Sequence, residues 1–391
     1  MRGARFCIFS WIELPLLTVH SSALTPATPA DDAEMALTLP LAAATLRIPS
    51  VPIQPQGQLP MLLLGDGLSW NRPSNYTLWF ELAGKNAGID SAWDYRTCDR
   101  TFQHCNHTQQ YILPAVERAG AQRGDVFVVS KIPCGGYDGG EEPMTTALAE
   151  SYVAQVLAEL GTDYVDLLLL HHVCTTRQET LLAWRVLEAA LGRGQARAVG
   201  VSNFDTPDLR WLLGVAKEPV AANECHFAAG MMDDEMIRFA AAANVSLMAY
   251  GVLHGTIDPS DAAVAAVAAK HNVSAVGVLL RFVGQHKIAL VTASDKRSYD
   301  VEDAALFDLT LDAEDLAALR ALQPGPRSCS DCYAKPCRTC MAAVQAAGCQ
   351  PGTAAECIAC VANLSAPAVR DACDGGDAVL VAKACEMGFP Q

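Results

Sequence analysis

The sequence predicts an α/β fold, a closed (β/α)8 TIM barrel, followed by a small cysteine-rich, helical C-terminal module. Three observations carry this prediction. Eight short apolar runs recur along the middle of the chain. Segments with apolar residues at helical spacing lie between them. The pattern stops near residue 325, beyond which nine cysteines crowd into the last 64 residues.

The apolar runs are 61–65, 88–92, 126–131, 165–171, 198–203, 221–226, 246–250 and 288–294, and 144–160, 179–191, 233–243 and 260–271 read as helices. Parallel strands need crossover connections, and the alternation supplies them. Eight repeats over about 250 residues match a closed barrel in size. An open doubly wound sheet would carry a glycine-rich first turn; Gly65-Asp66-Gly67 is half of that motif, and no helix starts directly after it.

Residues 1–23 read as a signal peptide: a basic start at Arg2 and Arg5, an apolar stretch, then Ser21-Ser22-Ala23. Residues 24–58 read as a linker and lead-in, 59–325 as the barrel and 326–391 as the cysteine-rich module. Five of the nine asparagines (Asn75, Asn106, Asn244, Asn272 and Asn363) open an N-x-Ser/Thr sequon, where chance gives about one. Together these features predict a glycoprotein of the secretory pathway, in the ER lumen or outside the cell. A complex plastid is the alternative; Asp31, Asp32 and Glu34 argue against it, since transit peptides are poor in acids.

Hydrophobic residues make up 51% of the chain, ample for a core, and the net charge is −15. That balance removes the basic footprint nucleic acid or an anionic membrane would need. The expected partner is a small molecule, and an unknown partner is left for the tail.

Polar residues interrupt the runs at one end. Asp90 follows Gly88-Ile89, Lys131 closes 126–131, and His171 closes four leucines. Ser202-Asn203, Glu224 with His226, and Tyr250 end the next three runs. A single lysine at a strand end is usually a solvated terminus, and a single histidine is usually structural. Their registration at the strand C-terminal ends, where barrels of this type carry their sites, is what signals chemistry.

Several segments are also specific. Asp90-Ser91-Ala92-Trp93-Asp94-Tyr95, Ser130-Lys131, Tyr164-Val165-Asp166 through His171, Gly200-Val201-Ser202-Asn203-Phe204, Glu224-Cys225-His226, Ala249-Tyr250 and Leu280-Arg281-Phe282 occur in the order in which the aldo-keto reductase family carries such motifs. Over about residues 59–323 the chain resembles that family. The resemblance implies NADP(H)-dependent reduction of aldehydes or ketones, with Tyr95, Asp90, Lys131 and His171 as the catalytic four. A free tyrosine titrates near 10 and is a reluctant acid; a lysine ammonium beside it lowers that value. Tyr95 is thus the expected proton donor, Lys131 its activator, Asp90 the partner of Lys131, and His171 the residue that orients the substrate oxygen.

Ser202, Asn203 and Tyr250 match the family's nicotinamide-binding positions, and Leu253, Ser294, Lys296 and Arg297 complete the expected cofactor set. The sequence departs from the family at the strand-eight motif, which reads Val291-Thr292-Ala293-Ser294, with Ala293 where a lysine is usual and Tyr299 where an arginine is usual. Lys296 and Arg297 are near enough to substitute. The departures leave NAD(H) open as the cofactor. They also leave open a second reading, a nucleotide-binding barrel subunit that is regulatory rather than catalytic. Trp70, Trp93 and His172 are expected to line the substrate pocket; packing is the alternative for both tryptophans. No metal is expected at the site.

Cys134 and Cys174 each lie three residues past a catalytic residue and are expected to form a disulfide. Cys98 and Cys105 are candidates to staple the insertion after Tyr95, and Cys225, inside a strand, is expected to stay reduced. Three C-x2-C pairs in the tail (Cys329/Cys332, Cys337/Cys340 and Cys357/Cys360) read as a disulfide framework in an oxidising compartment, or as zinc ligands in a reducing one.

Overall fold

The computed structural model describes residues 46–66, 73–98, 105–134, 143–293 and 296–322. The signal segment, most of the lead-in, Trp70, Ser294 and the cysteine-rich module lie outside the described residues.

Eight strands form a closed, all-parallel barrel: β1 (Leu62–Gly65), β2 (Gly88–Asp90), β3 (Phe127–Ile132), β4 (Leu167–Leu170), β5 (Val199–Ser202), β6 (Ala222–His226), β7 (Ser246–Tyr250) and β8 (Ala289–Thr292). Each pairs with its neighbours in sequence, and β8 pairs with β1 to close the ring. Each strand coincides with one of the eight apolar runs, β3 reaching one residue past its run to Ile132.

The strands are buried on both faces, which explains their near-continuous apolar sequences. Successive residues still point to opposite faces. Leu63, Val129, Leu167, Leu169, Ala222, Met248, Ala289 and Val291 pack together inside the barrel. Leu62, Leu64, Ile89, Val128, Leu168, Leu170, Val199, Val201 and Leu290 pack outward against the helices. An antiparallel hairpin of Ser50–Pro52 with Gln58–Pro60 precedes β1. Its Ile53 and Leu59, with Met61, join the interior cluster beside strand-start residues such as Ala221 and Ala289. The hairpin therefore closes the strand N-terminal end of the barrel.

The helices start and stop where local chemistry directs. At the helix Thr146–Leu160, Thr145 accepts a hydrogen bond from the Leu148 amide at 3.2 Å, and Gly161 ends the helix at φ 67°. At the helix Arg177–Gly192, Thr176 and Glu179 form a reciprocal capping box. Asn244 and Asn272, both exposed, terminate Asp234–Ala243 and Ala262–His271 in the left-handed conformation that asparagine tolerates.

Asp166, just before β4, belongs to this scaffold. Its carboxylate accepts hydrogen bonds from Arg123 (2.8 Å), Arg197 (3.0 Å) and the Val128 amide (3.0 Å), and both guanidinium groups lie over Tyr164. The network knits β3, β4 and the approach to β5 at the end away from the strand-terminal polar residues.

Candidate active site

The alternation that fills the barrel with leucine and valine continues to the strand C-terminal ends and delivers polar side chains there. Val129 is followed two residues later by Lys131, Leu169 by His171, Ala222 by Glu224 and His226, and Met248 by Tyr250. The strand positions therefore converge because they share parity.

Lys131 is fully buried. Its ammonium donates to both oxygens of Asp90 at 2.7 Å, to the Ser91 carbonyl at 3.2 Å and to the Tyr95 hydroxyl at 3.3 Å. Burial alone would lower its pKa, but Asp90, through its charge and its hydrogen bonds, leads the influences that outweigh burial and raise it, so Lys131 stays a cation.

Tyr95 reaches Lys131 from a turn rather than from a strand. Beyond β2 the chain keeps its ladder to β3, with Ser91 N–H donating to Val129 C=O and Trp93 N–H to Lys131 C=O, both at 3.0 Å. It then tightens, Tyr95 N–H donating to Ala92 C=O at 3.2 Å. The Arg96 guanidinium donates to the carbonyls of Trp93 and Tyr95. This closed turn brings the phenol back over the lysine. The His171 ring meets the Tyr95 ring edge-on, with centroids 5.6 Å apart.

Two acids at the site were not assigned roles from the sequence. Glu224 Oε2 lies 3.3 Å from the Lys131 nitrogen, outside hydrogen-bond geometry. Burial and the Asp90 charge push Glu224 up to about 8, against the pull of Lys131. Asp94 Oδ1 lies 3.0 Å from His171 Nδ1. Parity could have placed Glu224 with Lys131. Asp94 sits in the turn, where no periodicity applies.

Asn203, Ser202 and Tyr250 form a connected rim. Asn203 Nδ2 donates to the His171 carbonyl (2.9 Å) and to Ser202 Oγ (3.0 Å); Tyr250 OH donates to Asn203 Oδ1 (2.7 Å). Asn203 adopts φ 60°, and these bonds hold it there. Gly200 is required beside them, because a Cβ there would fall 2.5 Å from the Ala222 carbonyl oxygen.

The other expected residues are placed as follows. Lys296 and Arg297 are exposed at the start of a helix, Arg297–Ala305. Leu253 is half exposed. His172 is buried, its ring centroid 5.9 Å from that of His171. Trp93 packs on the helix Thr146–Leu160, its indole N–H donating to Gln155 Oε1 at 3.2 Å and its ring centroid 4.6 Å from that of Tyr152. Cys134 and Cys174 are joined by a disulfide, their Cα atoms 5.0 Å apart. Cys98 and Cys105 are register partners in a short hairpin. Cys225 is disulfide-bonded rather than reduced.

Two surface depressions, about 490 and 870 Å³, lie elsewhere, and no tetrad residue lines either.

This arrangement sets a phenol against a buried cation, beside a histidine paired to a carboxylate, groups that are chemically able to exchange a proton. The model of the aldo/keto reductase family matches residues 83–324. The chain belongs to the aldo/keto reductase family. It is therefore an oxidoreductase of that family. It is 29% identical over 235 residues to the uncharacterized oxidoreductase YtbE of Bacillus subtilis (strain 168), covering 60% of this chain and 81% of that protein. It is 28% identical over 233 residues to the glyoxal reductase of the same bacterium, covering 60% and 80%. Among solved structures, an aldo-keto reductase of the silkworm Bombyx mori in complex with NADPH aligns with a TM-score of 0.61 at 23% identity, over 72% of this chain and 90% of that one. An aldo/keto reductase from Brucella melitensis aligns with a TM-score of 0.61 at 22% identity, over 71% and 100%. These aldo-keto reductase structures carry the same fold.

Proposed function

We propose that the protein reduces small aldehydes or ketones to alcohols with NADP(H), with Tyr95 as proton donor. The observation that carries this is the Tyr95 hydroxyl held 3.3 Å from a buried Lys131 whose ammonium is fixed by Asp90. The ammonium stabilises the phenolate left behind, which makes the phenol a usable acid near neutral pH. Asp90 fixes the ammonium, and His171, on the adjoining strand, orients the substrate oxygen toward the phenol. Bound NADPH supplies the hydride.

The side chains suit that cofactor. Ser202, Asn203 and Tyr250 offer donors and acceptors at the interior rim for a carboxamide and an aromatic face for a ring. Lys296 and Arg297 open the first turn of a nine-residue helix, where cations and free amides favour a phosphate. They stand in for the lysine and arginine replaced by Ala293 and Tyr299. The name of the glyoxal reductase relative is in keeping with a small carbonyl substrate.

Tyr95→Phe tests the reading. In an assay with NADPH and a panel of aldehydes, it is expected to lower kcat by at least about 100-fold while cofactor still quenches tryptophan fluorescence. Wild-type protein that binds nucleotide but turns over no carbonyl would instead support the regulatory-subunit reading.

We infer in addition that the protein matures in the secretory pathway. Three sequon asparagines, Asn106, Asn244 and Asn272, have exposed side chains, and the Cys134–Cys174 disulfide suits an oxidising compartment.

A further inference from the structure

We propose that Asp94 is a positioning residue that fixes a proton on His171 Nδ1, so that His171 can donate to a substrate carbonyl from Nε2 only while its ring carries both protons. The kinetic part of this inference rests on the reductase reading; the protonation of the ring does not.

The geometry leaves the histidine little freedom. Asp94 Oδ1 lies 3.0 Å from Nδ1, and the two side chains are 11% and 10% exposed. The His171 amide donates to the Ile132 carbonyl at 3.0 Å, and its own carbonyl accepts from Asn203 at 2.9 Å, so the backbone is pinned on both sides. The rings of Tyr95 and His172 bracket the imidazole.

An ionised carboxylate only accepts hydrogen bonds, so the nitrogen facing it must bear the hydrogen. The reverse arrangement, a protonated Asp94 donating to Nδ1, is disfavoured. Burial would raise Asp94, but the charge of His171, its hydrogen bond, the Asp94 backbone amide and Lys131 together hold the carboxyl below its ordinary value. A carbonyl oxygen also only accepts. With Nδ1 committed to Asp94, a hydrogen bond to substrate must come from Nε2, and a ring donating from both nitrogens is an imidazolium.

The surrounding charges are compatible with that state. Tyr95 adjoins Asp94 on the same turn, Lys131 faces the pair from β3, and His172 lies just past the end of β4. Arg96 and His107 are also near, His107 feeling the charges of both Arg96 and Asp94. Lys131 is neutralised by Asp90, and Asp94 neutralises the imidazolium, so each cation has its own anion. An ionised donor also makes a shorter and stronger hydrogen bond than a neutral one, roughly twofold in strength. Tyr95 still gives up the proton that the alcohol gains, and His171 keeps both of its own.

An amide reverses the constraint. In Asp94→Asn the side-chain NH2 can donate to Nδ1, which moves the ring hydrogen to Nε2 and lets a neutral imidazole donate to substrate. The test is long-range 15N–1H correlation NMR on the full chain labelled with 15N-histidine, His171 being assigned by its loss in His171→Gln. Above the pH at which the ring titrates, wild type is expected to carry its hydrogen on Nδ1 and Asp94→Asn on Nε2. An Nε2 hydrogen in wild type, or the same tautomer in both proteins, would overturn the proposal. In the reductase assay, wild-type kcat/KM should fall as the solution becomes more basic by at least about threefold more than that of Asp94→Asn. Asp94→Glu should restore the wild-type slope, and equal slopes in all three would count against the proposal. If wild type turns over no carbonyl, the reductase reading fails, and the NMR result alone decides the role of Asp94. The wild-type tautomer needs no variant to fold.

Discussion

Lys131 lies between two carboxylates, and the charge count of that trio governs its behaviour. One cation balances one anion. Asp90 holds the ammonium through both oxygens at 2.7 Å, while Glu224, at 3.3 Å, makes no hydrogen bond to it. Glu224 is thus the acid left protonated, raised to about 8 chiefly by burial. The sign of the pH effect follows. An unfolded chain ionises Glu224 near 4.5, while the folded one retains the proton to about 8. The native state holds more protons between those values, so this contribution to stability is complete below 4.5 and is lost as pH rises through about 8. Glu224→Gln, which keeps the shape and cannot ionise, should flatten the loss. Scanning calorimetry at pH 6 and pH 9 should give a wild-type Tm that drops more than that of Glu224→Gln, by on the order of a few degrees. An equal drop in both proteins would mean that Glu224 is already ionised when folded. Glu224 was quotable from the sequence as part of a motif, but its protonation was not, because desolvation depends on how many strands surround it.

Between elements, the barrel is held by parity and register. The β3–β4 ladder runs from Val129 opposite Leu167 to Ile132 opposite Leu170. The Cys134–Cys174 bond continues this pairing just beyond Lys131 and His171, closing a loop with a sequence separation of 40. Loop-closure entropy for that length corresponds to about 4 kcal/mol. Cys134→Ser with Cys174→Ser, or reduction of wild type, should lower Tm by roughly 10 °C in thermal melts. A Tm unchanged by reductant would mean that the bond is absent in solution. The strands themselves were legible from sequence because they are buried on both faces and most read as short apolar runs interrupted only at their C-terminal ends. Helix ends were legible to within a few residues where a side chain caps them, as at Thr176 with Glu179. The hairpin Ser50–Pro52 with Gln58–Pro60 was not. Its few apolar residues have no periodicity, and only contact with the barrel interior shows that they fill its end.

For the molecule as a whole, exposure decides which surface residues are open to modification. Asn106, Asn244 and Asn272 have exposed side chains, and the latter two end helices in turns. Protein produced through a eukaryotic secretory route should lose apparent mass on treatment with an N-glycosidase, and an Asn106→Gln, Asn244→Gln, Asn272→Gln variant should lose less. No change in wild type would remove the compartment inference while leaving the barrel and its site untouched. Among the described residues, no single helix is long and apolar enough to cross a membrane.

The residue pattern alone was enough to predict the barrel and to mark three of the four central side chains. The reason is local: a strand's two-residue period both packs its leucines inward and aims Asp90, Lys131 and His171 at the same end. It marked Tyr95 through its motif. Only the tertiary structure decided what those residues meet. Tyr95 comes over Lys131 because a turn closes on Ala92. Asp94 faces His171 because β2 and β4 flank β3. Glu224 keeps its proton because β6 and β3 enclose it with Asp90. Each of these depends on distances across strands far apart in sequence, and electrostatics follows distance and burial rather than order along the chain.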